Sequence, residues 1–237
     1  MESKFNLTPL ALDVFEAIKQ AGGHVYLVGG CVRDFLLKRR SKDIDVEVHH
    51  LSFEALKEVL SPFGTVQVMG ASFAVVHLST LEGYEFALPR MEEKTGLKHQ
   101  DFNIIVDPDL PLEKACARRD FTINSMLYDV ETETVIDFYS GQEDLENGIL
   151  RATNKDHFSE DPLRVLRGAS FMSRYGFKMD EDTKNLCQSI VEEGGLETLS
   201  IERIYTEYCK ILMGLYPSQG FNFLRDIHGL PFYLEDL

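Results

Sequence analysis

The stretch "LVGGCVRDFLLKRRSKDIDVEV", residues 27–48, decides the fold. "HVYLVGG" predicts a buried strand that ends at a pair of glycines, and "CVRDFLLKR" predicts a short helix. "DIDVEVH" alternates acidic and apolar residues with a period of two, which is typical of a strand with one polar face. A flexible backbone, positive charge and two carboxylates in this order indicate a site for a triphosphate and two metal ions.

The two aspartates of this stretch are candidate metal ligands. Asp43 and Asp45 are two positions apart on a predicted strand, so both carboxylates point to the same side. Mg²⁺ suits such a pair, since it binds one or two carboxylates together with phosphate oxygens. In a two-metal mechanism one ion lowers the pKa of an attacking hydroxyl and the other stabilises the leaving pyrophosphate. Glu85, on a neighbouring predicted strand, could be a third ligand, although an exposed strand also carries acidic residues without any metal.

The glycine pair is a candidate phosphate site. Gly29 and Gly30 stand where a strand becomes a helix, and Arg33 follows one turn later. Backbone N–H groups at such a point bind anions, although a tight turn alone would also need glycine. Only one short helix separates Gly30 from Asp43, so the phosphate site and the metal site would be adjacent. The stretch matches neither a P-loop nor a GxGxxG dinucleotide motif.

The composition limits the class of protein. The 237 residues carry a net charge of −15, which argues against a general nucleic-acid-binding surface unless positive charge is local. Arginine does cluster in three places: Arg33, Arg39 and Arg40; Arg118 and Arg119; and Arg164, Arg167 and Arg174. No apolar run reaches a membrane span and no signal-peptide pattern opens the chain, so we expect a cytoplasmic protein. Four widely spaced cysteines without a CxxC pair make a zinc site or a disulfide framework improbable.

Periodicity predicts an α/β head, residues 1–149, followed by an all-helical segment, residues 150–237. Within the head, the polar stretch "MEEKTGLKHQDFNIIVDPDLPLE" is predicted to be a loop, and "EKACARRDFTINSMLYD" a helix.

Several motifs together carry a family resemblance. The opening stretch, "RRDFTINSMLYD", "FSEDPLRVLRGASFMSRYGF" and "SIERIYTE" resemble, in order, motifs of the class II tRNA nucleotidyltransferase and bacterial poly(A) polymerase family. "FLRDIHGLPFYLEDL" is similar to the start of that family's next helical region. The resemblance implies an α+β, polymerase β-like nucleotidyltransferase head with a mixed or antiparallel sheet and flanking helices. A helical neck and the beginning of a body domain would follow.

The resemblance also implies roles for individual residues. Asp43 and Asp45 would be catalytic and bind two Mg²⁺ ions. The nucleotide would be bound by Gly29, Gly30, Arg33, Arg119, Asp120, Asn124, Asp161, Arg164 and Arg167, with Asp120 and Asn124 near the ribose.

Asp161 and Arg164 match the pair that recognises the incoming base in place of a nucleic-acid template. They are three apart on a predicted helix and would be neighbours on one face. A carboxylate accepts from the exocyclic amine of cytosine or adenine, and a guanidinium donates to the adjacent acceptor. Uracil and guanine would leave the carboxylate unpaired, at a cost of about 1–3 kcal/mol. Without the resemblance, the two residues would be interpreted as an ordinary helix ion pair.

The implied activity is CCA addition, the transfer of CMP and AMP from CTP and ATP to the 3′ end of tRNA. A poly(A) polymerase or an enzyme adding only A or only CC to an RNA 3′ end is the alternative, and the long loop after Arg90 favours CCA addition. A non-catalytic RNA-binding module would have lost its carboxylates, which are present here. A metal-dependent nuclease or phosphatase would need neither the glycines nor the base-reading pair.

Three departures from the family pattern stand out. Lys38 replaces a usual glycine, Ser170 replaces a usual arginine, and the chain stops at Leu237 where family members continue into helices that grip tRNA. The first matters little if the backbone tolerates a left-handed residue. The second removes a positive charge one turn beyond Arg167.

Overall fold

The computed structural model describes residues 5–69, 75–94 and 102–230. They belong to two compact units, one formed by residues 1–119 and 124–139, the other by residues 120–123 and 140–237. The domain boundary after residue 149 stays a prediction. None of the helices in the described ranges is long and apolar enough to cross a membrane.

The first unit is built on a mixed sheet, one of the two arrangements that the family resemblance implied, and this sheet has seven strands. Its strands are β1 (His24–Val28), β2 (Ile44–His49), β3 (Val66–Met69), β4 (Val75–Leu78), β5 (Tyr84–Ala87), β8 (Leu127–Asp129) and β9 (Thr134–Ile136). Their order is β3-β4-β5-β2-β1-β8-β9. The pair β2–β5 is parallel and the other neighbouring pairs are antiparallel. Strands β1 and β2 overlap the stretch of residues 27–48 and lie side by side within the sheet.

Helices flank this sheet. Successive side chains along β1 point to opposite faces of the sheet, so each face has its own set of packing partners. The helices are α1 (Pro9–Gln20), α2 (Gly30–Leu36), α3 (Phe53–Leu60) and α4 (Leu112–Ala117). Phe15 of α1 packs edge-on against Tyr84 and Phe86 of β5. Tyr26 and Val28 instead form a buried cluster with Cys116 and Leu127, against which Leu112 of α4 packs. Opposite residues on paired strands share a face, so Asp45, which pairs with Val28, lies on the α4 side.

Two predictions within this unit are wrong. The stretch predicted as a loop contains a hairpin, β6 (Arg90–Lys94) paired with β7 (Phe102–Val106). The sequence of β6, "RMEEK", has one apolar residue and therefore lacks the apolar alternation that would have predicted a strand. The segment predicted as one helix is broken after α4 into a 3₁₀ turn, Thr122–Asn124, and then β8. Tertiary pairing of β8 with β1 overrides the local helical pattern.

The second unit is largely helical. It contains α5 (Gly141–Asn147), α6 (Lys155–Phe158), α7 (Leu163–Tyr175), α8 (Glu181–Glu192), α9 (Ile201–Leu212) and α10 (Pro217–Asp226). Helix α7 packs against both α9 and α10 and buries Val165, Leu166 and Ala169. The unit also holds a short parallel pair, β10 (Ile149–Leu150) with β11 (Lys178–Met179), so the helical prediction needs this one correction.

Candidate functional site

The centre of the candidate site is a group of three neighbouring carboxylates on the sheet of the first unit, Asp43, Asp45 and Glu85, here called the acidic edge. Asp45 lies in β2 directly opposite Glu85 of β5, and Asp43 immediately precedes β2. Burial raises the pKa of the Asp45 carboxyl, and the charges of Glu85 and Asp43 raise it further, against the opposing effect of Arg119. Burial is thus the main cause of the raised pKa of Asp45, and the two neighbouring carboxylates add to it.

The donor set at the acidic edge fits Mg²⁺. Asp43 is exposed and Asp45 half-buried, so two carboxylates are available to an ion that completes its shell with water and phosphate oxygens. Glu85 is directed differently, since its Oε1 lies 3.1 Å from His77 Nε2. Within the described ranges, no three His, Cys, Asp or Glu side chains converge as a ready-made metal site. The third ligand thus stays a prediction, whereas the pair alone suffices for the fit.

Gly29 brings the backbone between a carboxylate and a guanidinium. It ends β1 with a φ of 75°, in the left-handed region that favours glycine. A Cβ at this position would lie 2.9 Å from Arg119 Nη1 and 3.4 Å from Asp45 Oδ2. The left-handed backbone favours glycine here, and a Cβ would in addition move the end of the Arg119 side chain.

Arg33 connects two of the predicted nucleotide residues. Its side chain is 6% exposed, and Nη1 donates to Asn124 Oδ1 at 2.7 Å. Its Nε and Nη2 donate to Asp34 Oδ1 at 3.0 and 2.8 Å. The 3₁₀ turn therefore supplies the amide that fixes the arginine of α2, a link across 91 positions of sequence.

The second unit joins two further predicted residues directly. Asp120 is 8% exposed, and its Oδ2 accepts from Arg167 Nε at 2.7 Å and lies 2.6 Å from Nη2. Its other oxygen accepts the backbone N–H of Phe121 at 2.7 Å. The Asp120 charge in turn raises the pKa of Arg167. These contacts fix the orientation of both side chains.

Asp161 is arranged differently from its predicted place in a helix. It precedes α7, and its Oδ1 accepts the N–H of Leu163 at 3.1 Å. Both its oxygens accept from Arg203 Nη2 of α9 at 3.0 Å. Arg164 Nη1 donates to the His157 carbonyl at 2.7 Å. Arg203 was missed as a site residue, although "SIERIYTE", which contains it, is one of the family-like motifs.

Lys38 and Ser170, the two residues that depart from the family pattern, differ in backbone conformation and in burial. Lys38 adopts a φ of 55°, the left-handed conformation in which glycine would be unstrained. Ser170 is 2% exposed, so it lies within the packed part of α7.

Comparison with known families assigns most of the chain. Residues 25–151 match the Poly A polymerase head domain, and residues 176–237 match the "Probable RNA and SrmB-binding site of polymerase A". The Multifunctional CCA protein of Acinetobacter baylyi is 44% identical over an alignment of 211 residues that covers 87% of this chain and 49% of that protein. The chain spans about half the length of the curated relatives that it matches.

Solved structures of the same kind are similar in fold. The Thermotoga maritima CCA-adding enzyme complexed with tRNA superposes with a TM-score of 0.76 at 29% identity, covering 94% of this chain and 52% of that one. The Bacillus stearothermophilus CCA-adding enzyme in complex with CTP gives a TM-score of 0.77 at 29% identity, covering 96% and 54%.

Proposed function

The chain belongs to the family of the Poly A polymerase head domain, and on that premise we propose that it is a template-independent RNA nucleotidyltransferase. It adds CMP and AMP from CTP and ATP to the 3′ end of tRNA and releases pyrophosphate. The observation that carries this proposal is the convergence of Asp45, Gly29 and Arg119 on one face of the sheet. A carboxylate for a metal, a bare backbone and a fixed guanidinium are the groups that a triphosphate needs.

Asp43 and Asp45 would hold Mg²⁺, which would supply neutralisation of phosphate oxygens and a lowered pKa of the RNA 3′-hydroxyl. The backbone at Gly29 and Gly30 lies against the phosphates, where the absence of side chains permits close approach. Arg119 adds a positive charge that favours the increased negative charge of the transition state.

Arg33 and Asn124 act as one unit in the proposal, because the hydrogen bond between them fixes both side chains. Asp120 and Arg167 act as a second such unit and help to bind the nucleotide, with Asp120 near the ribose. Such pairs arrive at the reaction already oriented, which reduces the entropy lost on binding.

Asp161 and Arg164 read the base. Arg203 holds the Asp161 carboxylate through both oxygens, and the His157 carbonyl holds Arg164. The protein thereby fixes one acceptor and one donor in place of a template strand. An amine beside an acceptor, as in cytosine and adenine, pairs with both groups.

The RNA partner is the 3′ end of tRNA, supported by the names of the relatives and by the tRNA complex of a similar enzyme. A cytoplasmic location follows from this substrate and belongs to the same proposal.

The experiment is incorporation of each labelled NTP, with Mg²⁺, onto tRNA transcripts ending before CCA, after C and after CC, with an unrelated RNA alongside. Ordered addition of C, C and A on tRNA alone is expected. Runs of A on any RNA would instead assign a poly(A) polymerase, and addition of only A or only CC a partial enzyme. CTP and ATP binding without any incorporation would contradict the proposed transfer by this chain.

Base reading is tested by Arg164→Ala, with Arg174→Ala on the same helix as the matched control. Arg174 is exposed and lies over the ring of Tyr175. Arg164→Ala should reduce the preference for CTP and ATP over UTP and GTP more than it slows transfer, and Arg174→Ala should leave selectivity unchanged. Unchanged selectivity in Arg164→Ala would remove this residue from base recognition.

A further inference from the structure

A buried acid and a buried histidine lie on the strand that carries Asp45. Glu47 and His49 are each 2% exposed, and Glu47 Oε1 lies 3.0 Å from His49 Nε2. In the register of β1 and β2, Glu47 is opposite Tyr26, so it occupies the same face as Asp45. An acidic side chain so fully removed from water is rare without a function or a strong partner.

The partners of Glu47 are positively charged. Its Oε2 lies 3.6 Å from Arg119 Nη2 and 3.7 Å from Arg118 Nη2. Burial alone would raise the pKa of the Glu47 carboxyl, but the His49 hydrogen bond and the charges of Arg119 and Arg118 outweigh it and lower that pKa. A buried carboxylate is tolerated where it is paired in this way.

The opposite end of the Arg119 guanidinium faces the candidate phosphate site. While Nη2 is directed to Glu47, Nη1 lies close enough to Gly29 to clash with any Cβ there. The Arg119 side chain is 16% exposed, and its Nε is buried without a hydrogen-bond partner. The charges of Glu47 and Asp45 and the surrounding packing therefore orient the guanidinium, rather than a full set of hydrogen bonds, and Glu47 is the buried carboxylate at its Nη2 end.

We propose that Glu47, itself held by His49, is a positioning residue that fixes Arg119 beside Gly29 for binding the phosphates of the nucleotide. Glu47 does not touch the substrate. It acts by restricting Arg119 to one orientation, since an arginine loses considerable side-chain entropy when it becomes ordered. The functional half of this inference rests on the proposed function, whereas the ordering of Arg119 does not.

The first measurement is the order of Arg119 itself. In the chain labelled with ¹⁵N and ¹³C arginine, the Nε–H resonance of Arg119 is assigned by its disappearance in Arg119→Lys. Glu47→Gln should shift this resonance and speed rotation about the Cζ–Nε bond. His49→Leu should do the same, while His49→Gln should restore the wild-type signal, because the glutamine amide can replace the Nε2–H donor. His50→Gln, at an exposed neighbour, is the control and should change nothing.

The second measurement is binding of CTP and of inorganic tripolyphosphate by calorimetry, with steady-state kinetics. Glu47→Gln should weaken both ligands about tenfold, or ~1.4 kcal/mol. KM should rise by a similar factor while kcat changes little. In an Arg119→Ala background, Glu47→Gln should have less than about a twofold further effect, because the two residues act through one contact.

Unchanged dynamics of Arg119 in both Glu47→Gln and His49→Leu would overturn the positioning role, whatever the activity. An equal loss of CTP affinity with and without Arg119 would also overturn it, because Glu47 would then act elsewhere. If Glu47→Gln does not fold, His49→Leu decides, since it leaves both charges in place. A wild-type chain that binds no nucleotide would refute the proposed function, and the arginine resonances would still decide whether Glu47 orders Arg119.

Discussion

The acidic edge of the first unit and the carboxylates of the second unit differ in how their charge is compensated. Asp45 lies opposite Glu85 and next to Asp43, and its pKa is raised. In the second unit, Asp120 accepts a hydrogen bond from Arg167 Nε and is paired with its Nη2. Both oxygens of Asp161 accept hydrogen bonds from Arg203. In the first region three carboxylates lie together and Arg119 offsets the charge of Asp45 only in part, whereas each of the two carboxylates in the second region has an arginine partner of its own.

The difference separates two kinds of site. Like charges that a protein keeps close together need a cation from outside, which is how a metal site is recognised before metal binds. Carboxylates paired with arginine are fixed in geometry and need no added ion, which suits recognition of a hydrogen-bonding pattern. We therefore assign catalysis to the acidic edge and nucleotide recognition to the arginine-paired carboxylates of the second unit.

The largest effect on stability is expected where a partly buried pair is broken, since Asp120 is buried while the Arg167 side chain is 35% exposed. Asp120→Asn leaves Arg167 with a neutral partner and should lower the free energy of unfolding by roughly 1.5 kcal/mol, the lower end of the range for hydrogen bonds to charged groups, because solvent at Arg167 screens the charge. Urea unfolding of Asp120→Asn, Arg167→Met and the double variant measures this. The losses should be strongly non-additive. Additive losses, or a loss below about 0.5 kcal/mol in Asp120→Asn, would show that this pair contributes little to the unit.

A smaller effect, dependent on pH, is expected at Asp129, which is a paired carboxylate within the first unit. His24 Nε2 lies 3.1 Å from its Oδ1, and the backbone N–H groups of Glu131 and Thr132 donate to the same oxygen. Although burial raises the pKa of Asp129, these hydrogen bonds lower it overall below its ordinary 3.8. Its contribution to stability is thus complete above pH 3.8 and is lost as pH falls through the lowered pKa.

Unfolding in urea between pH 6 and pH 2.5 tests this contribution. Asp129→Asn should cost roughly 1 kcal/mol at pH 6 and little at the acid end of the range. His24→Gln, which keeps a donor, should cost less than His24→Leu. An equal cost of Asp129→Asn at both ends of the pH range would contradict the assignment.

The smallest effect has the opposite sign. Because the pKa of Asp45 is raised, its ionised form destabilises the metal-free protein as pH rises above 3.8. Asp45→Asn should therefore raise the free energy of unfolding at pH 7 without metal by roughly 0.2–1 kcal/mol, the scale of directly opposed strand residues. Glu85→Gln should give part of the same gain, and adding Mg²⁺ should stabilise the wild type more than Asp45→Asn. Destabilisation by Asp45→Asn in the absence of metal would remove the charge excess from the account.

The sequence was sufficient for the parts of the fold that depend on local pattern. The glycine pair and the alternation of "DIDVEVH" correctly predicted the two central strands and the short helix between them. The hairpin β6–β7 was missed because its first strand reads "RMEEK", which has one apolar residue and no apolar alternation. The strand β8 was taken for helix, since only its pairing with β1 makes it a strand.

The partners of the candidate residues could not be predicted in the same way. Arg33 with Asn124, Asp120 with Arg167 and Asp161 with Arg203 are joined across 91, 47 and 42 positions respectively. No single-sequence pattern connects such distant residues. Glu47 could be placed on the same face as Asp45 by alternation alone, but its burial and its contact with Arg119 depend on the chain that follows α4.

The most direct test of the central claim is single-turnover addition of AMP to a tRNA transcript ending in CC, with Mg²⁺, by the wild type, Asp43→Ala and Asp45→Ala. Glu82→Ala, at an exposed carboxylate of a turn, is the control. Both aspartate variants should lose at least about 10³-fold in rate, or ~4 kcal/mol of transition-state stabilisation, with an intact fold. Near-normal addition of AMP by either folded variant would contradict the assignment of the acidic edge as the catalytic metal site.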